Sequence, residues 1–171
     1  MILQSADSEL TIKPFQKRDI CINYLRWLND QSAMRFSNQR FQTHTPESSK
    51  RYLASFKNTP NQFLAIHDRQ ENLVGTMTMY FQDIHGTVDL GIMVGPEYSG
   101  RGFGARAWLA LMKHLEGNKS IRKITAGCAN LNTPMIRLAE KSGMTLEGRR
   151  LQQEVYDEVA VDILLYGKLT R

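Results

Sequence analysis

Hydrophobic positions along this chain follow two rhythms, and the change from one to the other marks how it folds. Residues 10–15 (LTIKPF) alternate as a first strand should. Asp19 and Ile20 then open a helix whose apolar face is Ile20, Tyr24, Leu25 and Leu28, with Asp19 as its N-cap. A second short helical piece is expected over residues 32–36, and residues 37–41 read as a loop because they follow neither period. Thr45-Pro46-Glu47 is a strong helix start, with threonine capping, proline at the first helical position and an acid in the first turn. Tyr52, Leu53 and Phe56 give that helix its core face, and it ends by Asn58-Thr59-Pro60.

From Gln62 the period shortens. Residues 63–66 and 73–80 form a hairpin about the polar turn 68–72, and a turn at His85-Gly86 brings in residues 87–94. Three antiparallel strands thus deliver the chain to a glycine-rich stretch, and Gly95-Pro96 ends the last of them. A helix follows with Ala107, Trp108, Leu111, Met112 and Leu115 on one stripe, and Gly117 finishes it. Residues 121–129 read as a strand parallel to 87–94, because a helix crosses between them. Thr133-Pro134 opens another helix, threonine capping, which leaves Asn132 free of that duty, and Ser142-Gly143 closes it. Two long strands, 144–154 and 159–169, surround Tyr156-Asp157-Glu158. The sum is a mixed α/β fold: a splayed, mostly antiparallel sheet of about seven strands with helices on both faces.

The stretch between strand and helix carries the first chemistry. Gly100, Gly102 and Gly104 alternate with Arg101 and Phe103, so the backbone turns sharply while its N–H groups stay uncovered. The helix behind it carries Arg106 but no acid in its first turn, although acids are favoured at that end of the dipole. A phosphate or pyrophosphate on the amides of Gly100 to Ala105, with Arg101 and Arg106 alongside, supplies the missing negative charge. The spacing is GxGxG rather than GxGxxG, and the next strand ends in Cys128-Ala129-Asn130 with no acid for a ribose, which argues against a dinucleotide fold. No Gly-Lys-Ser/Thr closes the run, so it is not a Walker loop. A structural turn that binds nothing is the remaining alternative for the loop taken alone.

Length and composition narrow the rest. A chain of 171 residues is expected to form a single domain, 1–171, able to bury roughly two-thirds of its unfolded surface. Hydrophobic content of 42% and charged content of 23% describe an ordinary globule. The net charge of +5 suits an acidic substrate or a polyphosphate cofactor, and because it is dispersed, with no basic stripe or recognition motif, nucleic acid is not an expected partner. The first ten residues lack a basic, apolar leader, and no long apolar run occurs, which points to a cytoplasmic protein without a membrane partner. Cys21 and Cys128 have neither CxxC nor CxH spacing, so free thiols are expected and no metal. The expected assembly is a monomer or homodimer.

The pattern V-x-P-x-Y-x-G-R-G-x-G-x-x-A, followed by helix, strand and N-x-x-x-x-x-L-x-E-K-x-G from Asn132 to Gly143, resembles the GNAT family of N-acetyltransferases. The resemblance implies acetyl-CoA as cofactor, with its pyrophosphate on the loop Ser99, Gly100, Arg101, Gly102, Phe103, Gly104 and Ala105. Ser99 stands where the family usually has Gln or Arg, and it still supplies a backbone amide. By the same resemblance Ile92, Met93 and Val94 hold the pantetheine in a strand-like pairing, Asn132 touches the cofactor arm, and the thioester lies where two parallel strands splay apart.

The implied reaction is direct attack of a neutral amine on the thioester carbonyl, helped by a base and an acid. The family's usual acid positions are here Ala139 and Met135, neither able to act, so either water protonates the thiolate or Tyr156 substitutes. Asp89, the carboxylate at the start of the pantetheine strand, is the candidate base, and would need a raised pKa. Substrate recognition is expected in the irregular stretch RFSNQRF, at Arg35, Asn38, Arg40 and Phe41, whose arginines and aromatics suit an anionic or hydroxyl-rich acceptor. The expected acceptor is a small-molecule amine, sugar-linked or free. The alternatives are a protein N-terminal amine, as in ribosomal-protein acetylation, and a non-catalytic acyl-CoA binding module.

Overall fold

A computed structural model describes residues Met1–Arg171. Its strands are β1 (Leu3–Gln4), β2 (Thr11–Pro14), β3 (Gln62–His67), β4 (Leu73–Gln82), β5 (Thr87–Val94), β6 (Lys123–Ala129), β7 (Thr145–Tyr156) and β8 (Val159–Leu169). Its helices are α1 (Ile22–Asn29), α2 (Pro46–Ser55), α3 (Phe103–Glu116) and α4 (Thr133–Lys141). The strands form one sheet in the order β1-β2-β3-β4-β5-β6-β8-β7. Every neighbouring pair is antiparallel except β5 and β6. The fold is the mixed, helix-flanked sheet expected from the sequence, with β1 as an added two-residue edge.

Period-two alternation divides the core between the two faces of the sheet. Leu64 and Ile66 of β3 and Val88 and Leu90 of β5 meet Trp108, Leu111, Met112 and Leu115 of α3 in the larger cluster. Phe63 and Ala65, the intervening positions of β3, meet Tyr24, Trp27 and Leu28 of α1, with Tyr52 and Leu53 of α2 packed alongside. The β7–β8 hairpin turns at Asp157 and Glu158, whose φ of 50° and 64° match the left-handed pair of a tight two-residue turn. Tyr156 and Val161 form a small third cluster there with Ala129 of β6.

Three local readings need correction. Asp19 is not the cap of α1, which starts after Cys21; it ends a short 3-10 turn, is buried, and binds His67 Nε2 at 2.9 Å and the Gln16 N–H at 2.7 Å. Residues 32–36 are turns rather than a helix, and the one helical turn nearby is a 3-10 turn at Asn38–Phe41. Asn132, not Thr133, caps α4: its Oδ1 accepts the Met135 N–H at 3.2 Å. Thr45 does cap α2, in a reciprocal pair with Ser48.

Candidate active site

After β5 the chain leaves the sheet at Gly95 and makes one 3-10 turn, Pro96–Tyr98. Gly100 and Gly102 then take φ of 75° and 76°, a conformation L side chains avoid. A Cβ at either would meet nothing within 4 Å, so the backbone angle and not crowding requires glycine. The Ser99 N–H bonds back to Pro96 O at 3.1 Å, and the next amide with an internal partner is that of Arg106, to Gly102 O at 3.1 Å. The amides from Gly100 to Ala105 are therefore free at the opening of a helix, where a negative charge is favoured. The guanidinium of Arg101 lies over the Phe103 ring at 4.7 Å. The Arg106 guanidinium lies over the same ring, at 4.8 Å, but its donors are turned away from the free amides. Asp7, at 2.7 Å, and Glu9 pair with Arg106, which also donates to Arg101 O at 3.0 Å and so braces the loop from behind. The Ser5 hydroxyl and Arg106 hold the Asp7 carboxyl well below the usual carboxylate range.

Beside the loop the sheet opens. β5 and β6 pair only from Thr87 to Asp89 against Lys123 to Thr125, although β5 continues to Val94 and β6 to Ala129. The Gly95 N–H donates to Val74 O at 2.9 Å, which makes Gly75 and Val94 a non-hydrogen-bonded pair in the β4–β5 ladder. Alternation then turns the amide and carbonyl of Met93 to β4, and those of Ile92 and Val94 into the gap. Gly104 brings α3 close above this edge: a Cβ there would stand 3.2 Å from Val94 Cγ2. Where the strands still touch, Thr125 Oγ1 donates to Asp89 Oδ1 at 2.7 Å. Asp89 keeps contact with solvent, yet the protein packed about its carboxyl raises the pKa, and the Thr125 bond only partly offsets this.

The gap and the loop open into one cavity of about 1320 Å³, which continues across the sheet to α2 and the segment after α1. Asp30 is its sole carboxylate, set against Arg35, Arg137 and Lys141. The Cys128 thiol faces it, buried and pushed up to about 11 by desolvation. Ser99, Gly100, Gly102, Phe103, Gly104, Ala105 and Asn132 line it, as do Ile92, Met93 and Val94. Of the four residues singled out in RFSNQRF, only Arg35 does, with its guanidinium 4.3 Å over Phe36. Arg40 instead pairs with Asp157, Asn38 faces Glu154 at 3.4 Å, and the Phe41 ring stacks on Tyr156 at 6.4 Å. Tyr156 is outside the lining as well; its hydroxyl donates to Glu154, and burial together with that carboxylate raises its pKa. Ser49, Tyr52, Thr76 and Thr78 line the end of the cavity under α2; they are not among the residues expected from the sequence, although the helical spacing of Ser49 and Tyr52 from Thr45 carries the signal.

Free amides behind left-handed glycines, an unpaired strand edge and a cavity joining them fit a nucleotide-linked thioester lying along β5. The Acetyltransferase (GNAT) domain matches residues 9–145. The chain belongs to the GNAT acetyltransferases. This acetyltransferase is 24% identical over 140 residues to the uncharacterized N-acetyltransferase YnaD of Bacillus subtilis (strain 168), covering 81% of each chain. Its fold is similar to that of RimL, a ribosomal L7/L12 alpha-N-protein acetyltransferase solved in complex with coenzyme A, with a TM-score of 0.87 at 16% identity over 99% of this chain and 98% of that one. A spermidine N-acetyltransferase from Vibrio cholerae, in complex with CoA and spermine, gives 0.85 at 18% identity over 95% and 96%. Acetyl-CoA is the cosubstrate of the family, and the acetyltransferase is an acetyl-CoA-dependent enzyme. None of its helices is long and apolar enough to cross a membrane.

Proposed function

We propose that the enzyme transfers an acetyl group to the primary amine of a small or sugar-linked acceptor by direct attack. The observation that carries this reading is the single cavity that joins the free loop amides and the open edge of β5 to a pocket under α2 with little negative charge. A polyamine would place several positive charges beside Arg35 with Asp30 alone to balance them, whereas a neutral or anionic amine meets no such repulsion.

In this reading the amides of Gly100 to Ala105 hold the pyrophosphate, Arg101 stands at its exposed side, and Arg137 and Lys141 of α4 add positive charge across the groove. Ile92 and Val94 pair with the pantetheine arm through the groups that face the gap. The side-chain N–H of Asn132 is free to donate, its oxygen being committed to α4. Bound acetyl-CoA supplies an acyl carbonyl activated by a thiolate leaving group. Asp89 takes a proton from the incoming ammonium through water, so that the amine attacks in its neutral form, and water protonates the departing thiolate because Tyr156 is turned to Glu154.

CoA thiol release from acetyl-CoA, followed with a panel of amino sugars, amino alcohols, spermidine and short peptides with free N-termini, tests the reading. Turnover with a small or sugar-linked amine, and an acetylated product by mass spectrometry, is expected. Turnover confined to the peptides would make a protein N-terminus the acceptor. Tight acetyl-CoA binding with no turnover on any amine would overturn catalysis in favour of a binding module.

A further inference from the structure

One polar atom of the cavity wall has nothing to bond to. Ser49 of α2 is 3% exposed, lines the cavity, and its Oγ has no hydrogen-bond partner. A helical serine ordinarily returns its hydroxyl to the carbonyl four residues earlier. Here that carbonyl, Thr45 O, already accepts the Ser49 N–H at 3.0 Å and the Ser48 hydroxyl at 3.0 Å, so both its lone pairs are committed.

The hydroxyls of Ser48 and Tyr52 on the same helix are engaged as well. Ser48 Oγ also accepts the Thr45 N–H at 2.9 Å, and Tyr52 OH meets Tyr80 OH at 3.0 Å. Leaving one buried hydroxyl unpaired is costly beside apolar side chains such as Leu28 and Phe63, which share this wall. The wall is connected to the reacting end of the site. Tyr52 lies one turn beyond Ser49 and packs on Phe63 at 5.2 Å; Phe63 is cross-strand from Thr78, and Thr78 from Gly91 of β5. Gly91 keeps that floor open, since a Cβ there would fall 2.6 Å from Thr78 Oγ1.

We infer that Ser49 is a specificity residue for the acceptor, and that its hydroxyl bonds a hydroxyl carried by the amine substrate, so that the preferred acceptor is an amino alcohol. A hydroxyl can both donate and accept, as can its partner, and the few charges on this side leave hydrogen bonding as the means of discrimination. The inference rests on the acyl-transfer reading above and names the acceptor chemistry within it.

The test compares amines that differ by one hydroxyl, serinamide with alaninamide and ethanolamine with ethylamine, in the wild type and in Ser49→Ala and Ser49→Thr. The wild type is expected to prefer the hydroxylated member of at least one pair by roughly tenfold in kcat/KM, as one hydrogen bond to a buried group allows. Ser49→Ala should bring that preference close to unity by lowering the hydroxylated amine more than its partner, and Ser49→Thr should restore most of it. A preference unchanged in Ser49→Ala, or none in the wild type, overturns the inference while leaving acyl transfer intact. If no amine is turned over, the acyl-transfer reading fails instead. The same amines are then compared by thermal shift in the presence of CoA, where a hydroxyl-dependent shift lost in Ser49→Ala sustains the role of Ser49 and its absence overturns it.

Discussion

Thr125 Oγ1 donates to Asp89 Oδ1 across 2.7 Å at the point where β5 and β6 part. Surrounding protein raises the pKa of Asp89 above the ordinary carboxylate value, and the Thr125 hydroxyl pulls it back. If Asp89 accepts the amine's proton, kcat/KM rises with pH as this carboxyl ionises. Asp89→Asn should remove that limb and lower kcat/KM about 100-fold, within the usual range for a general base. Thr125→Val should move the limb to higher pH. An unchanged pH profile in Asp89→Asn would remove Asp89 from the chemistry.

The same shift affects stability. A raised folded pKa means that ionised Asp89 disfavours the folded state, a cost absent below the ordinary carboxylate pKa and complete once pH passes the folded one. Asp89→Asn should therefore raise Tm at neutral pH and leave it unchanged near pH ~3, the gain staying under about 1 kcal/mol because solvent screens the group. Thermal melts across that range measure it directly.

Gly102→Ala should separate the two uses of the loop. With φ of 76° and nothing within 4 Å of the added methyl, the free enzyme bears only backbone strain of about 1 kcal/mol, a loss of roughly 2–4 °C in Tm. The methyl also stands beside the free amides, so KM for acetyl-CoA should rise at least about tenfold, the effect of losing one charge-assisted bond, with kcat little changed at saturation. An unchanged KM would move the pyrophosphate off this loop.

Arg35 and Arg40 are five residues apart in sequence but differ in surroundings. Arg35 lines the cavity, whereas Arg40 is bound to Asp157 in the β7–β8 turn and donates to Arg35 O at 3.1 Å. Arg35→Ala should change acceptor KM with little effect on Tm. Arg40→Ala and Asp157→Ala should each lower Tm, and the double variant should lose no more than the larger single loss, because the two groups form one interaction. Additive losses would show that the pair contributes nothing jointly.

This contrast shows how far local sequence carries. Thr45-Pro46 announced α2, and the strand, glycine loop and helix from β5 to α3 stood out, because each signal lies within a few residues of the structure it makes. RFSNQRF looks like an acceptor loop in the sequence because its partners, Glu154, Tyr156 and Asp157, are more than 100 residues away, at separations of 116 to 118 for those bonds. Asp19 looked like a cap for the same reason: its partner His67 belongs to β3. The choice of Asn132 over Thr133 as cap depended on a side-chain angle that the sequence does not encode locally. Arg106 looks free for an anion on the loop because the helix it opens has no acid in its first turn, whereas Asp7 and Glu9 reach it from the start of the chain.

The N–H of the buried Trp108 indole has one partner. Its Nε1 donates to Ser142 Oγ at 3.1 Å, and that hydroxyl donates in turn to Ala139 O at 2.8 Å, joining α3 to the end of α4 at the back of the cavity. Trp108 is fully buried and Ser142 is 5% exposed, so no solvent replaces the hydroxyl if it is lost. Ser142→Ala leaves an unpaired indole N–H and should cost about 1–3 kcal/mol, lowering Tm by roughly 2–12 °C in a chain of this length. Trp108→Phe removes the donor while the Ser142 hydroxyl keeps its bond to Ala139 O, so the double variant Trp108→Phe/Ser142→Ala should fall short of the sum of the two single losses. Denaturant unfolding of the four proteins gives the coupling energy, and a value of zero would show that the indole N–H does not depend on Ser142.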